Sequence, residues 1–428
     1  MRHLLCRVAP GSWKSAWLVG PHHRRFASAK RRKRVAAKSK PSDLVHVSPE
    51  LPTRDDCTWT GQTTIGSALL HAHVIVVPGS AGQDYCDVVL DLAGHVEDSQ
   101  RRAKFASSGL FPPSFVPDDS YWNDVASQIR TRFGKVAWFA VYDGHVTHKI
   151  ARLAAHYTPY VLAKSIAEHH DNDLPVILKG LPREVHHIIK RQAIEGHGVD
   201  VRDAGGTTAT MAVVTDRHVH IAAIGDSLGL IHTSKGYSYS VPQSMDTLPL
   251  DVEEEFNKAN MLYGDLAGCS SYERKATAGR DNRVGITGLR MYGSIGDYHC
   301  DMDVVNAMVK YHKGDFDPND PDVKMLCSLT KDHRAIWRAF VPLPGPFRLM
   351  SSDPFRREPD SSVSAPVDGT LSFILATDGV PLWKSVHLVE SADPSEKVAS
   401  LKHLTRGSVD DAALVYVELK PQTNHSEQ

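Results

Sequence analysis

The sequence is poor in cysteine and contains no long apolar run. Its 428 residues include six Cys, and none of them belongs to a C-x-x-C pair or a closely spaced set. This pattern argues against a disulfide scaffold or a zinc knuckle and favours a reducing compartment. No stretch of about 18 apolar residues occurs, so the sequence predicts no membrane-spanning helix.

Histidine is plentiful but lacks the spacing of a metal site. None of the 24 His falls in an H-E-x-x-H motif or a comparable arrangement. We expect the three adjacent pairs to lie at the surface, namely His22-His23, His169-His170 and His186-His187. The histidine content by itself therefore predicts no zinc centre.

Acidic residues are missing from the first 42 positions, which carry twelve Lys and Arg. Asp43 is the first carboxylate, and the rest of the chain holds 37 basic residues against 50 acidic ones. A body with that charge repels nucleic acid. The composition therefore argues against a DNA- or RNA-binding function.

The basic amino end admits three interpretations. Its Arg-rich, acid-free composition is typical of a mitochondrial presequence, and RRFAS at 24–28 resembles a processing site. KRRKR at 30–34 fits a nuclear signal instead, and a disordered basic tail without a targeting role is the third interpretation. Because the acid depletion spans all of residues 1–42, we favour a disordered mitochondrial presequence and expect a location in the matrix or intermembrane space. Residues 421–428 are expected to be a polar tail.

The body of the chain combines strand-like runs with helical patterns. Short turns at Thr215–His218 and Ser234–Gly236 predict two hairpins. Helices are predicted over 147–169, with a break near Pro159, and over 182–195, which opens with Pro. The predicted strands are 73–77, 86–92, 136–143, 208–214, 219–226, 228–233, 237–241, 371–378 and 412–419.

The order of these elements indicates the fold class. Sequential hairpins interrupted by a helical pair favour an α+β fold in which antiparallel sheets are covered by helices. We expect a single domain over residues 43–420. Regions 242–290 and 313–369 are poor in regular pattern and are expected to be surface excursions, although 251–264 fits a helix.

Aspartates recur beside the predicted strands. Each one alone is explained by a turn or a helix cap. Carboxylates that converge at one edge of a sheet repel one another unless a cation lies between them, and hard oxygen ligands suit Mg²⁺ or Mn²⁺ better than zinc. The residues concerned are Asp143 and Asp378, each followed by Gly, together with Asp226, Asp203, Asp410 and Asp411.

Six sequence blocks resemble the metal-dependent type 2C serine/threonine protein phosphatases. In chain order they are FAVYDGH, GGTTATMAVV, AAIGDSLGLI, GSIGD, ILATDGV and GSVDDAALVYV. The family patterns are roughly FAVFDGHGG, SGSTA, NVGDSR, RAxGD, LASDGLWD and GSxDN. The resemblance runs from about residue 63 to 419. It implies two mainly antiparallel β-sheets packed as a sandwich and flanked by helices, in αββα layers.

The resemblance also implies a centre of two Mg²⁺ or Mn²⁺ ions with a weaker third. A water that bridges two divalent ions loses its proton near neutral pH and attacks phosphorus without a covalent intermediate. By this resemblance, Asp143 would bind both ions, and the Gly144 carbonyl would join it on the first. Asp378 and Asp410 would bind the second ion. Asp203 with Asp378 would hold the weaker third ion, and Asp84 would act through bound water.

The reaction implied by the resemblance is hydrolysis of phosphoserine and phosphothreonine in phosphoprotein substrates. Catalysis is assigned to Asp143 and to His145, which would protonate the departing Ser or Thr oxygen. Asp226 and Asp297 are interpreted as structural members of their blocks. By analogy with mitochondrial members of the family, matrix phosphoproteins such as pyruvate dehydrogenase are the expected substrates.

Several positions depart from the family pattern. Val146-Thr147 replaces the usual Gly-Gly, Gly293 stands in place of an Arg, and Lys384 in place of an Asp. No Arg occurs near Gly79, where many members bind the substrate phosphate, and 242–290 lacks a His-x-Pro stretch. These departures keep open a second hypothesis, a catalytically silent scaffold or binding module. A haloacid-dehalogenase-type hydrolase is excluded because it needs a D-x-D motif at the end of its first strand, whereas Asp143 is followed two positions later by His145.

Overall fold

The chain divides into two compact units, Met1–Leu44 and Val45–Gln428. Every residue described below belongs to the second unit. The computed structural model describes residues 57–77, 83–107, 118–145, 147–169, 173–195, 205–240, 242–243, 291–298, 301, 303, 317, 319, 356–380, 386, 399–400, 403 and 410–421. The predictions for residues 1–42, for the 251–264 helix and for Asp203 lie outside these ranges.

The described residues form β-strands and α-helices in a mixed order. The strands are β1 (Cys57–Ile65), β2 (Ala68–Val77), β3 (Tyr85–Val89), β4 (Ala137–Tyr142), β5 (Gly144–His145), β6 (Gly206–Thr207), β7 (Ala209–Val214), β8 (His218–Ile224), β9 (Leu228–Thr233), β10 (Gly236–Tyr239), β11 (Ile295–Gly296), β12 (Ser362–Pro366), β13 (Thr370–Ala376) and β14 (Ala412–Pro421). The helices are α1 (Leu92–Glu97), α2 (Ser99–Ser107), α3 (Asp119–Phe133), α4 (Lys149–Glu168) and α5 (Leu174–Glu195).

The strands assemble into three antiparallel sheets. One has six strands in the order β1-β2-β14-β13-β9-β10, and another has five in the order β12-β8-β7-β4-β3. A small third sheet, β11-β6-β5, joins three short segments. The predicted α+β class with antiparallel sheets is confirmed, and so are the β7–β8 and β9–β10 hairpins.

The two large sheets pack face to face over an apolar core. Phe139 on β4 and Phe373 on β13 meet edge to face there, with ring centroids 5.4 Å apart. The other face of the five-stranded sheet packs against α1, α3, α4 and α5 around Trp122 and Trp138. Within the described ranges, no helix is both long and apolar enough to cross a membrane.

The helix boundaries differ from the predictions. The break expected near Pro159 is wrong, since α4 continues through this residue. Residues on all sides of α4 are buried, and this packing offsets the roughly 3 kcal/mol that an interior Pro costs a helix. The second helix starts at Leu174, eight positions before Pro182, because the Asp173 carbonyl already accepts hydrogen bonds from the amides of Val176 and Ile177.

Two predicted segments end elsewhere for local reasons. The strand expected over 86–92 stops at Val89, because Asp91 caps α1 and accepts a hydrogen bond of 3.1 Å from the Gly94 amide. The excursion expected over 313–369 includes β12, which pairs with β8 at the edge of the five-stranded sheet. Its sequence, SVSAP, has few apolar residues, as befits an edge strand that ends in Pro366.

A buried carboxyl in β3 makes stability depend on pH. Asp87 is 1% exposed and accepts a hydrogen bond of 3.0 Å from the Trp138 indole. Burial raises the pKa of Asp87 to about 7. The unfolded chain releases this proton near pH 4 and the folded one near pH 7, so the free energy of unfolding falls as pH rises between these values.

Asp87→Asn removes this penalty and keeps an acceptor for Trp138. We expect the variant to exceed the wild type in stability by roughly 2–4 kcal/mol at pH 8, with much less difference at pH 5. Urea unfolding at both pH values measures this. Asp124→Asn, at an exposed position on α3, is the matched control. An equal stability difference at both pH values contradicts the prediction.

Candidate metal centre

Carboxylates from both large sheets meet at one end of the sandwich. The strands β4 and β8 belong to the five-stranded sheet. Asp143 directly follows β4, and Asp226 lies two residues beyond β8. In the six-stranded sheet, Asp378 lies two residues beyond β13 and Asp410 two residues before β14. Asp84 directly precedes β3. Because neighbouring strands are antiparallel, the end of one strand and the start of the next share an edge.

Three of these carboxylates form a compact cluster. Asp143, Asp226 and Asp378 each place one oxygen within 4.8 Å of the others. Burial, followed by the charges of Asp84, Asp378 and Asp226, holds the pKa of Asp143 well above its usual range. Such a group needs either protons or a cation to relieve its repulsion.

Asp84 and Asp410 flank the cluster. Burial raises the pKa of Asp84 to about 8, with further contributions from the charges of Asp411, Asp378 and Asp410. Within the described part of the chain, the buried Oδ2 of Asp84 has no hydrogen-bond partner. Asp410 is exposed, and its Oδ1 accepts a hydrogen bond of 3.0 Å from the Asp411 amide. A buried carboxylate oxygen without a donor, among like charges, fits a divalent cation.

The GGTT segment holds the end of β4 in place. The Asp143 carbonyl accepts hydrogen bonds of 2.9 Å from both the Thr208 amide and the Thr207 hydroxyl. The Asp143 amide donates back to Thr208 Oγ1 at 3.2 Å. Thr208 Oγ1 also lies 2.6 Å from Ser227 Oγ, next to Asp226. Thr208 therefore ties together the strand ends that carry Asp143 and Asp226.

In the six-stranded sheet, Gly379 allows the backbone after β13 to lie close to the backbone before β14. A Cβ at this position would lie 1.9 Å from the Asp411 carbonyl oxygen, so no other residue fits. Beside it, Thr377 N donates to the Ala413 carbonyl at 3.0 Å, and Ala413 N donates to Thr377 Oγ1 at 2.9 Å. These contacts hold Asp378 against the Asp410–Asp411 segment.

His145 is held by the small third sheet. In this sheet β5 pairs with β6, and β6 pairs with β11, which brings the DGH, GGTT and GSIGD motifs together. His145 Nε2 lies 2.7 Å from Asp297 Oδ2, and the same oxygen accepts a hydrogen bond of 2.6 Å from Ser294 Oγ. Burial lowers the pKa of His145, but the charges of Asp297 and Asp226 outweigh burial and raise it overall.

The structure brings some of the candidate ligands close to one another. It brings Asp143 and Asp378 together, with Asp84 and Asp410 close by, and it puts Gly144 in β5 opposite Thr207. Asp226, interpreted from the sequence as structural, also has an oxygen in the cluster. Its position at the end of a core strand was the available signal. Asp203, Gly79, Val146 and Lys384 lie outside the described residues.

Sequence reasoning missed the surroundings of Asp297. His186, expected at the surface, is 1% exposed, so that prediction was wrong. His186 Nε2 lies 3.1 Å from Asp301 Oδ2, and its Nδ1 accepts a hydrogen bond of 3.2 Å from the Gly296 amide. Its position beside buried Val185 and Ile189 on α5 was the only local hint. Of the other pairs, His169 is exposed, and the remaining members lie outside the described residues.

A family comparison identifies the region around the DGH motif. Residues 125–255 match the family model described as Protein phosphatase 2C. This stretch carries Asp143, His145 and Asp226, whereas Asp297 and Asp378 join them only in the tertiary structure. The match covers less than a third of the chain. A comparison with curated protein sequences gives no match.

Solved structures to which this chain is similar include phosphatases and a sex determining protein. A C. elegans sex determining protein is 15% identical, with 82% of this chain and 65% of that chain covered and a TM-score of 0.46. The chain thus spans just under two thirds of that protein. A serine-threonine phosphatase 2C from Toxoplasma gondii is 14% identical, with 85% of this chain and 98% of that chain covered and a TM-score of 0.45. A serine/threonine phosphatase from Staphylococcus aureus is 11% identical, with 84% of this chain and 99% of that chain covered and a TM-score of 0.39.

Proposed function

We propose that this chain is a metal-dependent protein serine/threonine phosphatase of the type 2C family. The observation that carries the proposal is the convergence of Asp143, Asp226 and Asp378 within 4.8 Å. His145, which pairs with Asp297, lies two residues after Asp143. The family match over 125–255 supports the class of enzyme. The proposed reaction is hydrolysis of phosphoserine and phosphothreonine to the free hydroxyl and phosphate.

The carboxylate cluster would hold two Mg²⁺ or Mn²⁺ ions, with a third bound more weakly. Asp143, Asp226 and Asp378 supply the central oxygens, and Asp84 and Asp410 flank them. Divalent ions bound here would lower the pKa of water and neutralise the phosphate oxygens. All of these protein ligands are hard oxygen donors, which Mg²⁺ and Mn²⁺ prefer.

His145 would deliver the proton that the departing oxygen needs. A serine or threonine alkoxide is a poor leaving group, so a general acid contributes about 10²- to 10⁴-fold. Nε2 of the His145 ring lies 2.7 Å from Asp297 Oδ2. The other ring nitrogen, Nδ1, is buried and has no hydrogen-bond partner among the described residues. We therefore assign proton donation to Nδ1, with Asp297 fixing the orientation of the ring.

A catalytically silent scaffold is the second candidate function. It is favoured by Gly293, which replaces an Arg of the family pattern, and by the lack of an Arg near Gly79. The carboxylate cluster opposes it. A protein that only binds partners has no chemical reason to gather like charges that repel one another at the end of two sheets.

The deciding experiment measures phosphate release from phosphoserine and phosphothreonine peptides by the full-length protein. We expect turnover with Mn²⁺ or Mg²⁺, loss of activity on chelation with EDTA, and recovery when Mn²⁺ is restored. Asp378→Asn should lower turnover by orders of magnitude, because it removes a charged ligand. If a broad phosphopeptide panel gives no metal-dependent turnover, the scaffold hypothesis replaces the phosphatase.

We also propose a mitochondrial location and mitochondrial phosphoprotein substrates, with pyruvate dehydrogenase as the example by analogy. The acid-free, Arg-rich composition of residues 1–42 supports this proposal. A fluorescent reporter fused to residues 1–45 should enter mitochondria in living cells. Accumulation in the nucleus would instead support the KRRKR interpretation.

A further inference from the structure

A buried charged cluster lies behind the His145–Asp297 pair, and the proposed chemistry does not use it. It consists of the charged residues Arg357, Asp301 and Lys190, which are 8%, 4% and 7% exposed, together with His186, which is 1% exposed. Such groups are rarely buried unless they are paired. Here Asp301 accepts hydrogen bonds from Arg357 and His186, and its Oδ2 lies 3.0 Å from Lys190 Nζ. The paired charges form a fixed support within the fold.

The turn that carries Asp297 has an unfavourable backbone. Asp297 has a φ of 48°, in the left-handed region that side chains other than glycine disfavour. Its side chain nevertheless has to reach His145, 152 positions away along the chain. A conformation of this kind persists only where its surroundings hold it.

Arg357 holds this turn at both ends. Its Nη1 donates to the Ser294 carbonyl at 2.8 Å, and its Nη2 donates to the Asp297 carbonyl at 3.2 Å. On α5, His186 Nδ1 accepts a hydrogen bond from the Gly296 amide. Because Nδ1 is the acceptor there, Nε2 carries the proton of His186 and donates it to Asp301. Arg357 and His186 therefore clamp one turn and share Asp301 as their anchor.

The clamped turn determines where the His145 ring lies. Asp297 Oδ2 is held by the hydroxyl of Ser294, whose carbonyl Arg357 binds, and by His145 Nε2. On the opposite strand, a Cβ at Gly206 would lie 2.0 Å from Asp297 Oδ2 and 2.7 Å from His145 Nε2. The pair therefore fits closely against the backbone, and a small movement of the turn would displace it.

Arg357 brings a guanidinium to the GSIGD segment, which contains no Arg of its own. Gly293 stands in place of the Arg of the family pattern, and a Cβ there would lie 2.2 Å from Gln243 Oε1. The neighbouring segment approaches through a β-bridge between Gly293 and Arg356. The same bridge brings Arg357 to the turn.

We propose that Arg357 is a positioning residue that clamps the Ser294–Asp297 turn and thereby orients His145 for proton donation. The inference rests on the proposed phosphatase function, in which His145 is the general acid. Arg357 acts through Asp297 and does not touch the substrate in this proposal. Its removal should consequently affect only substrates whose leaving group needs a proton.

The test compares two substrates with Mn²⁺ and the full-length protein. Serine must leave a phosphoserine peptide as a protonated oxygen, whereas nitrophenolate leaves p-nitrophenyl phosphate without a proton. Arg357→Met should lower kcat on the peptide by about 10- to 100-fold and on p-nitrophenyl phosphate by less than about threefold. Combining it with His145→Gln should cause no further loss on the peptide beyond that of His145→Gln alone.

Arg183→Met is the matched control. Arg183 forms an ion pair of 2.6 Å with Glu358, the neighbour of Arg357, but its side chain is 54% exposed. It should leave both activities near the wild-type values. Ser294→Ala provides a milder variant if Arg357→Met fails to fold, because it removes only the hydroxyl that donates to Asp297. This variant should show the same selective loss on the peptide.

A second readout uses the metal-free protein. Long-range ¹H–¹⁵N spectra report the environment of the His145 ring nitrogens, and these signals should shift in Arg357→Met and not in Arg183→Met. Equal losses on both substrates, or unchanged His145 signals, overturn the inference. A wild-type protein inactive on p-nitrophenyl phosphate and on a broad phosphopeptide panel refutes the phosphatase proposal instead, and unchanged spectra in that case reject the clamp separately.

Discussion

Asp143→Asn is expected to lower metal-dependent phosphopeptide turnover by orders of magnitude and to make the metal-free protein more stable. Asp143 lies within 4.8 Å of Asp226 and Asp378, and burial with the neighbouring charges raises its pKa. Asparagine keeps the shape and removes one charge. The metal-free fold then no longer bears the cost of a buried carboxyl with a raised pKa, and the metal centre loses the charge of its central ligand.

Thermal unfolding separates these two effects. In EDTA the midpoint of Asp143→Asn should exceed that of the wild type by roughly 2–4 °C for each kcal/mol gained. Saturating Mn²⁺ should raise the wild-type midpoint and leave that of the variant nearly unchanged, because only the wild type binds the ion. Asp368→Asn, at an exposed position, is the control. Equal Mn²⁺ shifts in the wild type and Asp143→Asn would show that the ion binds elsewhere.

His145→Gln is expected to produce the second large effect, a loss of about 10²- to 10⁴-fold in kcat on phosphoserine peptides. The reason is that glutamine cannot donate a proton to the departing oxygen. Turnover of p-nitrophenyl phosphate should fall far less, since its leaving group is stable as an anion. The metal cluster is unchanged in this variant, so Mn²⁺ should still raise its thermal midpoint.

The control for this experiment is His169→Gln, at an exposed position just after α4. It should leave both activities unchanged. A parallel fall on both substrates in His145→Gln would indicate that the residue supports the metal centre rather than the leaving group. No change on either substrate would remove His145 from the mechanism.

Local patterns in the sequence were sufficient for much of the fold. Apolar runs located the core strands, and short turns located both hairpins, because side-chain alternation and turn chemistry depend on neighbouring residues. Helix boundaries were less predictable. The sequence predicted a helix break near Pro159 and a helix start at Pro182. Both prolines instead lie inside helices that extensive packing stabilises. Burial of that kind depends on distant segments and leaves no signal at the proline.

The candidate site, like the fold, depends partly on local sequence and partly on contacts between distant segments. The sequence by itself identified the acidic candidates, since Asp143 and Asp378 end core strands before glycine and lie in blocks that resemble those of one family. Only the tertiary structure decided that Asp226 joins them and that His145 pairs with Asp297, 152 positions away. Arg357 and its buried partners likewise come from separate segments. Periodicity reports which way a side chain faces, whereas the identity of the group opposite it depends on how the sheets and helices pack.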